Sequence, residues 1–402
     1  MRNLLSTYKG LPREIYILFI GKIVNSLGAF VQPLMSLILT QKLGMSAGEA
    51  GEFITLMAIC QVPCIIIGGK LTDTIGRKKV IVLFQSLGIL MLIICGIIPL
   101  SFTTAKIMIL SSAFYSISMP AYDALNADLT NENNRKSSYS LLYMGLNIGF
   151  SIGPIIGGFL YKDYLSLIFI GDAITTICAL SLIIFYVKEP KKQREVVLDY
   201  EEEIDIKSST LGIMSKRPIL ILFPLMMLLF QFAYSQWMFT IPMYLGELFK
   251  ENGARLYGFL GGFNGFLVII FTPILTYLTK KYKSLNVMGM GGLLYGVSFI
   301  ICSIANYKAL FFVVALCLTM GEVLIAINSQ AFVANNTPLS HRGRISSIIP
   351  MISGTGYALG PMIIGDVIDS YGMFIAWMLI TISCVIGSIG MFLIKNLKNV
   401  ND

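Results

Sequence analysis

Long apolar segments alternate with short polar ones along the whole 402-residue chain. Segments such as 80–100 and 373–394 approach or exceed the roughly 20 residues that a helix needs to cross about 30 Å of hydrocarbon. They lack the alternation of membrane strands, and a helix satisfies its backbone polar groups within the segment. The pattern therefore predicts an all-α integral membrane protein with twelve transmembrane helices, at 14–39, 47–69, 79–101, 105–127, 137–161, 165–187, 218–245, 256–279, 285–305, 309–333, 345–367 and 373–395.

The longest polar segment, 188–217, divides the predicted spans into six and six. Its charged composition is typical of a solvated cytoplasmic linker and not of a third domain. The sequence thus predicts an N-terminal six-helix bundle at 1–187, a linker at 188–217 and a C-terminal six-helix bundle at 218–402. An even number of spans in each half gives both bundles the same orientation, as in parallel repeats.

A repeated glycine/proline pattern supports this duplication. Gly149-Phe-Ser-Ile-Gly153-Pro154-Ile-Ile-Gly157-Gly158 in the fifth span returns 207 residues later as Gly356-Tyr-Ala-Leu-Gly360-Pro361-Met-Ile-Ile364-Gly365. The offset is the same at every matched glycine and proline, while Ile364 stands where the first copy has Gly157. The two halves are therefore predicted to be diverged repeats with a substrate site between them.

Composition and charge agree with a membrane protein. Hydrophobic residues make up 55% of the chain and charged residues 13%, which excludes a water-soluble globule of this size. Of the 30 lysines and arginines, 23 lie in predicted cytoplasmic segments, one lies within a span, and six lie in outer loops. This bias predicts a cell-membrane protein with both termini in the cytoplasm. The net charge of +8 does not indicate nucleic-acid binding, because no basic face carries interleaved aromatic residues.

Nothing in the sequence predicts an enzyme, a metal site or an ATP-driven pump. All seven cysteines lie in predicted spans, where they are interpreted as small apolar core residues. The single histidine, His341, cannot form a triad or a metal site alone. No nucleophile–base set and no nucleotide-binding loop is present.

A glycine-rich basic loop lies between the second and third spans, Gly69-Lys-Leu71-Thr-Asp73-Thr-Ile-Gly76-Arg77-Lys78-Lys79. With this loop, twelve spans and the fifth-span glycine/proline pattern, nearly the whole chain resembles the major facilitator superfamily. The glycine/proline pattern is similar to that of its drug/proton antiporter families. The resemblance implies a major facilitator fold, an antiporter motif formed by the fifth-span residues, a cytoplasmic latch of Asp73, Arg77 and Asp128, and a protonation site at Glu322.

The glycine/proline motif also has a physical interpretation of its own. Gly149, Gly153 and Gly157 are four residues apart and share one helix face, which permits close approach of another helix. Pro154 removes a backbone hydrogen bond and bends the helix. A hinge or seal and simple helix packing both remain open.

Ionisable residues inside spans are costly and are candidates for function. Glu322 lies near the middle of the tenth span, where a low dielectric favours the protonated form that a proton carrier needs, although a structural glutamate is the alternative. Lys22 and Asp123 lie at similar depth in the first and fourth spans and are expected to face one cavity and to pair. Asp123 is also a candidate for proton coupling together with Glu322. No role is assigned to Asp172. Many drug/proton antiporters carry an arginine in the fourth span, and this chain has none, so Lys22 is the candidate for the cationic place.

Polar and aromatic residues within the spans are candidates for the substrate cavity, in which aromatic rings can stack on flat or cationic ligands. Packing between helices is an equally good interpretation of each one. The candidates are Lys22, Asn25, Gln32, Tyr143, Asn147, Gln231, Tyr234, Trp237, Asn264, Asn328 and Tyr357.

These features predict a proton-coupled secondary exporter of small amphipathic, drug-like compounds that works by alternating access. The expected partners are a small-molecule substrate and the lipid bilayer, with protons as coupling ion, no cofactor and a functional monomer. One alternative is a dedicated exporter of a single metabolite, lipid or siderophore. Another is an importer, which the fifth-span motif disfavours.

Overall fold

The computed structural model describes residues 8–189, 217–337 and 342–395. Every regular element in these ranges is helical, as the apolar pattern predicts. The elements in chain order are α1 (Arg13–Leu27), α2 (Val31–Leu37), α3 (Ala47–Ile75), α4 (Arg77–Ile97), α5 (Phe102–Asp128), α6 (Glu132–Leu160), α7 (Leu165–Tyr186), α8 (Ile219–Ser235), α9 (Thr240–Phe249), α10 (Gly253–Thr279), α11 (Ser284–Ile304), α12 (Lys308–Asn336), α13 (Arg342–Tyr371) and α14 (Met373–Ile394).

The first and seventh predicted spans are each interrupted. Between α1 and α2 the chain turns at Gly28, whose carbonyl accepts the Phe30 N–H at 2.7 Å. Between α8 and α9 it turns at Gln236, whose Nε2 donates to Phe232 O at 3.0 Å and whose Oε1 accepts the Thr240 hydroxyl at 2.6 Å. The first helix of each pair ends at Leu27 and at Ser235, within one residue of the 207-residue repeat offset, so both repeats break the same helix.

Ten stretches of the described chain are long and apolar enough to cross a membrane. One of them, Ile219–Thr279, has 61 residues and contains α8, α9 and α10. Helix α5, which holds the predicted fourth span, is not among the ten, because its sequence carries more polar residues. The count of twelve spans therefore stays a prediction.

The chain forms two compact units. Unit 1 contains Met1–Met45, Leu56–Val196 and Leu245–Gly265, and unit 2 contains Ser46–Thr55, Val197–Tyr244 and Phe266–Asp402. The first turns of α3 thus belong to unit 2, and the second half of α9 with the first half of α10 belongs to unit 1. Nearly all of the predicted linker at 188–217 lies outside the described residues.

Apolar side chains pack inside each unit and also cover its outside. In unit 2 the Phe299 and Trp377 rings stack at 5.9 Å with an interplanar angle of 17°. Phe185 in unit 1 and Tyr277 in unit 2 are by contrast 77% and 80% exposed. Large exposed apolar surfaces are unfavourable in water and suit contact with lipid.

Candidate functional site

Unit 2 contains a cavity of about 250 Å³ at Glu322. Helices α8, α11 and α12 supply its walls, and their residues are mostly apolar or aromatic. One carboxylate and a few neutral polar groups complete it, as in many small-molecule sites. The lining residues are Met227, Phe230, Gln231, Tyr234, Tyr295, Glu322, Ile325, Ala326 and Ser329.

Tyrosine side chains lie beside Glu322, and one of them is hydrogen-bonded to its carboxylate. The Tyr234 hydroxyl donates to Glu322 Oε1 at 2.9 Å. The Tyr295 ring stacks on the Tyr234 ring at 6.1 Å and 18°, and the Tyr357 ring lies 6.5 Å from Tyr234. Tyr295 was not among the sequence candidates. Its signal is a hydroxyl-bearing aromatic residue within an apolar span.

The other candidates in unit 2 do not line this cavity. Trp237 is buried, with 4% of its surface exposed. Asn328 Nδ2 donates to Leu324 O, one turn back in its own helix, at 2.8 Å. Trp237 and Asn328 are therefore placed as packing residues in this structure.

The candidates in unit 1 are more dispersed. Tyr143 and Gln32 have exposed side chains, and Asn25 and Asn264 are partly buried. Asn147 Nδ2 donates to Tyr143 O at 2.9 Å, within the same helix. This arrangement favours helix-surface roles for these side chains over a closed pocket within unit 1.

Lys22 and Asp123 lie near enough for their charges to interact. Both side chains are exposed on unit 1, at α1 and α5. Neither is in an ion pair within 4.0 Å in the described part of the chain, where the pairs are Arg77–Asp73, Arg77–Asp128 and Lys162–Glu251.

The basic loop forms a compact polar cluster. Arg77 Nε donates to Asp128 Oδ2 at 2.8 Å, and its Nη1 donates to Thr72 O at 3.2 Å. Asp73 is 3.9 Å from Arg77 Nη2 and remains 77% exposed. Arg77 thus ties the start of α4 to the end of α5. Gly69 has open space where a Cβ would be, so this position involves no close helix contact.

Glu189 completes the cluster and was not a sequence candidate. Its Oε1 accepts the Arg77 N–H at 2.6 Å, and its Oε2 accepts the Lys78 N–H at 3.1 Å. A carboxylate at the first N–H groups of a helix is stabilised by the helix dipole. Gly76, with a φ of 106°, makes the turn, and a Cβ there would lie 2.8 Å from Glu189 Oε1. The segment 188–217 contains many charged residues, and nothing in the sequence marks Glu189 among them as a partner of the basic loop.

One face of the glycine/proline motif packs on the first span. A Cβ at Gly149 would lie 2.5 Å from Ser26 Cβ, and one at Gly153 would lie 2.7 Å from Leu27 O. At Gly157 the nearest atom would be Leu34 Cδ1 at 3.3 Å, a looser contact. The looser fit agrees with Ile364 at the matching position of the second copy.

The other face of the motif forms what we call the α6–α10 seam. A Cβ at Gly158 would lie 2.5 Å from Ala254 O, and one at Gly258 would lie 2.3 Å from Pro154 O. Real Cβ atoms do not approach backbone oxygen so closely, so both helices must separate to admit one. The seam lies wholly within unit 1.

The second copy forms an α3–α13 seam within unit 2. A Cβ at Gly365 would lie 2.3 Å from Ala47 O, and one at Gly51 would lie 2.3 Å from Pro361 O. Each of these four residues stands 207 positions from its counterpart in the α6–α10 seam. The duplication therefore extends from the motif to the residues against which it packs.

A charged residue stands at the end of each seam. Asp369 Oδ1 and Oδ2 accept the N–H groups of Ala47 and Gly48 at 3.1 and 2.8 Å. Lys162, at the matching repeat position, is 2.5 Å from Glu251, just before α10. Asp369 and Lys162 were not sequence candidates, because their partners are distant in the chain.

Asp172 lies beside the break in the first span. Val31 N, at the start of α2, is 3.5 Å from Asp172 Oδ2. A Cβ at Gly28 would lie 1.6 Å from Thr175 Oγ1, so the break is pressed against α7. Asp172 is thus placed to support the interrupted backbone. No group of three possible metal ligands occurs within the described ranges.

A family model settles the class of protein. The model described as the Major Facilitator Superfamily matches residues 18–361. The chain belongs to this superfamily. It is therefore a multi-pass membrane transporter of small molecules and not an enzyme, and the resemblance and all-α major facilitator fold predicted from the sequence are confirmed.

The relatives of this superfamily member include an ion antiporter and a multidrug resistance protein. The chain is 24% identical to the Na(+), Li(+), K(+)/H(+) antiporter of Planococcus maritimus, over 91% of this chain and 96% of the relative. It is 31% identical to multidrug resistance protein 1 of Bacillus subtilis (strain 168) over 157 residues, which are 38% of this chain and 40% of the relative. Among solved structures, the nucleoside transporter NupG matches with a TM-score of 0.76 at 14% identity, over 96% of this chain and 100% of that one.

Proposed function

We propose that this superfamily member is a proton-coupled exporter of small amphipathic compounds that works by alternating access. The observation that carries the proposal is the placement of Glu322 in an aromatic-lined cavity within an apolar span. An ionisable side chain within an apolar span is energetically costly, which makes it a candidate for function. The names of two relatives, an antiporter and a multidrug resistance protein, support the direction and the substrate class.

Protonation of Glu322 removes the negative charge of the cavity, which can couple proton binding to substrate release. The ionised carboxylate accepts the Tyr234 hydroxyl and attracts a cationic group, while the protonated form has no charge to offer. Tyr234 and Tyr295 present flat rings beside it, on which an organic cation or a planar ring can stack. A proton and a substrate therefore compete for one carboxylate, which is what exchange requires.

Alternating access also needs a contact that closes and opens. The two glycine seams support this role, because each brings backbone to within van der Waals distance without side chains in between. Both lie at the helix ends that the positive-inside bias predicts to be outer. Proton or substrate can move the seams only by binding the closed and open states with different free energies.

The test uses purified protein in liposomes with an imposed pH gradient. Glu322→Gln keeps the shape of the side chain and removes its titration, so we expect proton-driven transport of amphipathic fluorescent cations to fall to the level of empty liposomes. Glu247→Gln, which removes an exposed carboxylate of α9, is the matched control and should transport normally. Proton-driven transport by Glu322→Gln at the wild-type rate would contradict the proposal.

A second candidate is export of a monovalent metal cation. Oxygen atoms of Gln231, Tyr234, Glu322 and Ser329 line the same cavity, and the Planococcus maritimus relative is named for such ions. The same liposomes distinguish the two substrates. Sodium or potassium flux that depends on Glu322, without transport of organic cations, would favour this candidate.

A further inference from the structure

Four of the six cations predicted for the outer loops gather at one place in unit 1. A cavity of about 480 Å³ lies there, lined by Gln41, Lys42, Tyr161, Lys162, Asp163, Gly246, Lys250 and Glu251. Arg255, in the first turn of α10, interacts electrostatically with Lys162 and Glu251. The two remaining outer cations, Lys106 and Lys308, begin other helices. Such convergence is unexpected for a membrane protein whose outer loops otherwise avoid positive charge.

The carboxylates at this place do not balance the cations. Hydrogen bonding to Lys162 and the charges of Lys162, Arg255 and Lys42 hold the pKa of Glu251 below its ordinary value of 4.5. Glu251 in turn raises the pKa of Lys162 above 10.5. With Asp163 included, two carboxylates face four cations. Lys42 and Lys250 have no carboxylate within ion-pair distance in the described part of the chain.

Several groups are held in place toward this cavity. Lys42 Nζ lies 5.1 Å from the centre of the Tyr161 ring and donates to Lys162 O at 3.3 Å. The Tyr161 hydroxyl donates to Leu37 O at 2.8 Å, which fixes the ring. Gln41 is packed so closely on Gly246 that a Cβ there would lie 2.0 Å from its Nε2. The Lys42 ammonium and the Gln41 amide are therefore each positioned by a contact with another segment of unit 1.

Two irregular features lie next to this cavity in the chain. The Nε of Arg255 is buried and has no hydrogen-bond acceptor among the residues that the structure describes, while its guanidinium lies 5.2 Å from the centre of the Phe159 ring. Lys250 has a φ of 48°, which is unusual for a residue with a side chain and unique among the described non-glycine residues. Of the two, only Lys250 lines the cavity, and residues in sparsely populated backbone regions cluster at ligand sites.

We propose that this cavity is an oxyanion-binding site for a carboxylate or phosphate group. Ammonium groups of Lys42, Lys162 and Lys250 and the amide of Gln41 supply the donors. The group can belong to a soluble anion or to the phosphate of an anionic lipid in the outer leaflet. The occupied site would join the end of the first span, the end of α6 and the turn before α10, and so would hold the α6–α10 seam closed. The proposal does not depend on what the protein exports.

The first arm of the test measures thermal unfolding in detergent at constant ionic strength, with inorganic phosphate replacing chloride. A ligand that binds only the folded state raises its stability by mass action. We expect a saturable rise in Tm for the wild-type protein, and its loss in the double variant Lys42→Gln, Lys250→Gln. Both side chains are exposed, so the variant should fold. The double variant Lys106→Gln, Lys308→Gln removes equal charge elsewhere and should respond as the wild type does.

Measurement at pH 7 keeps the rest of the site intact. Because the pKa of Glu251 is lowered, its contribution to the Lys162–Glu251 contact is present above 4.5 and is lost as pH falls through the lowered value. The raised pKa of Lys162 makes its contribution complete below 10.5. The ion pair therefore does not change charge in the experiment.

The second arm identifies the source of the anion. Nanodiscs of phosphatidylglycerol are compared with nanodiscs of phosphatidylcholine for the same three proteins. A rise in Tm with phosphatidylglycerol, absent from the Lys42/Lys250 variant, assigns the site to lipid, and a rise with phosphate assigns it to a soluble anion. If neither anion raises Tm, or if both double variants respond equally, the site does not exist. No transport is measured, so this result is independent of proton coupling.

Discussion

At the scale of single residues, the two repeats carry opposite charges at equivalent positions, Asp369 and Lys162. Asp369 ends the α3–α13 seam by accepting two backbone N–H groups of α3. Lys162, 207 residues earlier, ends the α6–α10 seam through an ion pair with Glu251. The carboxylate exploits the positive end of a helix dipole, whereas the lysine needs a carboxylate from the adjoining turn. Divergence of the repeats has kept the contact and changed its chemistry.

We expect Asp369→Asn to loosen the first turn of α3. The substitution keeps one acceptor oxygen and removes the negative charge, worth about 0.5–1 kcal/mol at a helix N-terminus, or roughly a two- to fivefold change in population. Hydrogen exchange of a peptide covering 46–52 should quicken accordingly. Glu247→Gln, which removes an exposed carboxylate of α9, is the control. Equal protection in the Asp369 variant and the wild type would show that the charge is not used.

At the scale of helices, glycine at the seams sets the distance between backbones. A methyl group at Gly158 would lie against a carbonyl oxygen of α10, while one at Gly354 of α13 would meet no atom within 4 Å. The two positions therefore separate a steric effect from the general effect of replacing glycine in a helix, where alanine is favoured by up to about 1 kcal/mol.

We expect Gly158→Ala to open the α6–α10 seam. Overpacking costs about 1–3 kcal/mol, which corresponds to a shift of roughly 5- to 150-fold toward separated helices. Spin labels at the outer ends of α6 and α10 should report a longer distance in this variant. Gly354→Ala should leave the distribution of distances unchanged. A seam that stays closed in Gly158→Ala would mean that the helices adjust locally.

At the scale of helices, some contacts and site residues could be predicted from the sequence and others could not. The close packing of α6 on the first span could be predicted because Gly149, Gly153 and Gly157 share a face, and Glu322 stood out as a charge in an apolar span. The breaks at Gly28 and Gln236 could not, because apolar residues continue on both sides of each. Tyr295, Glu189 and Asp369 were missed because their importance depends on partners that only the fold brings near.

At the scale of the whole molecule, each compact unit includes a short segment of the other repeat. Residues Ser46–Thr55 of the first repeat belong to unit 2, and Leu245–Gly265 of the second repeat belong to unit 1. Helices α3 and α10 are continuous through these boundaries, so a change in either seam acts on both units through covalent structure. Two seams of equivalent residues are thus expected to open and close as one equilibrium.

This coupling can be measured with labels at one seam and a substitution in the other. We expect Gly158→Ala in the α6–α10 seam to lengthen the distance between labels on α3 and α13, with the same population of open molecules reported by both label pairs. Reciprocity requires Gly365→Ala to act on α6 and α10 in the same way. If each substitution affects only its own seam, the two contacts are independent and the repeats do not move as rigid bodies.

The exchange of segments has a consequence for biogenesis. The bond from Ala47 to Asp369 joins residues 322 positions apart, so the glycine surface of α3 has no partner while most of the chain is still being synthesised. Contacts of such long range form late, and unfinished chains expose surfaces that favour misassembly. A nascent protein that stops after α12 would insert its earlier spans and still present an uncovered strip of backbone on α3, which only the arrival of α13 covers.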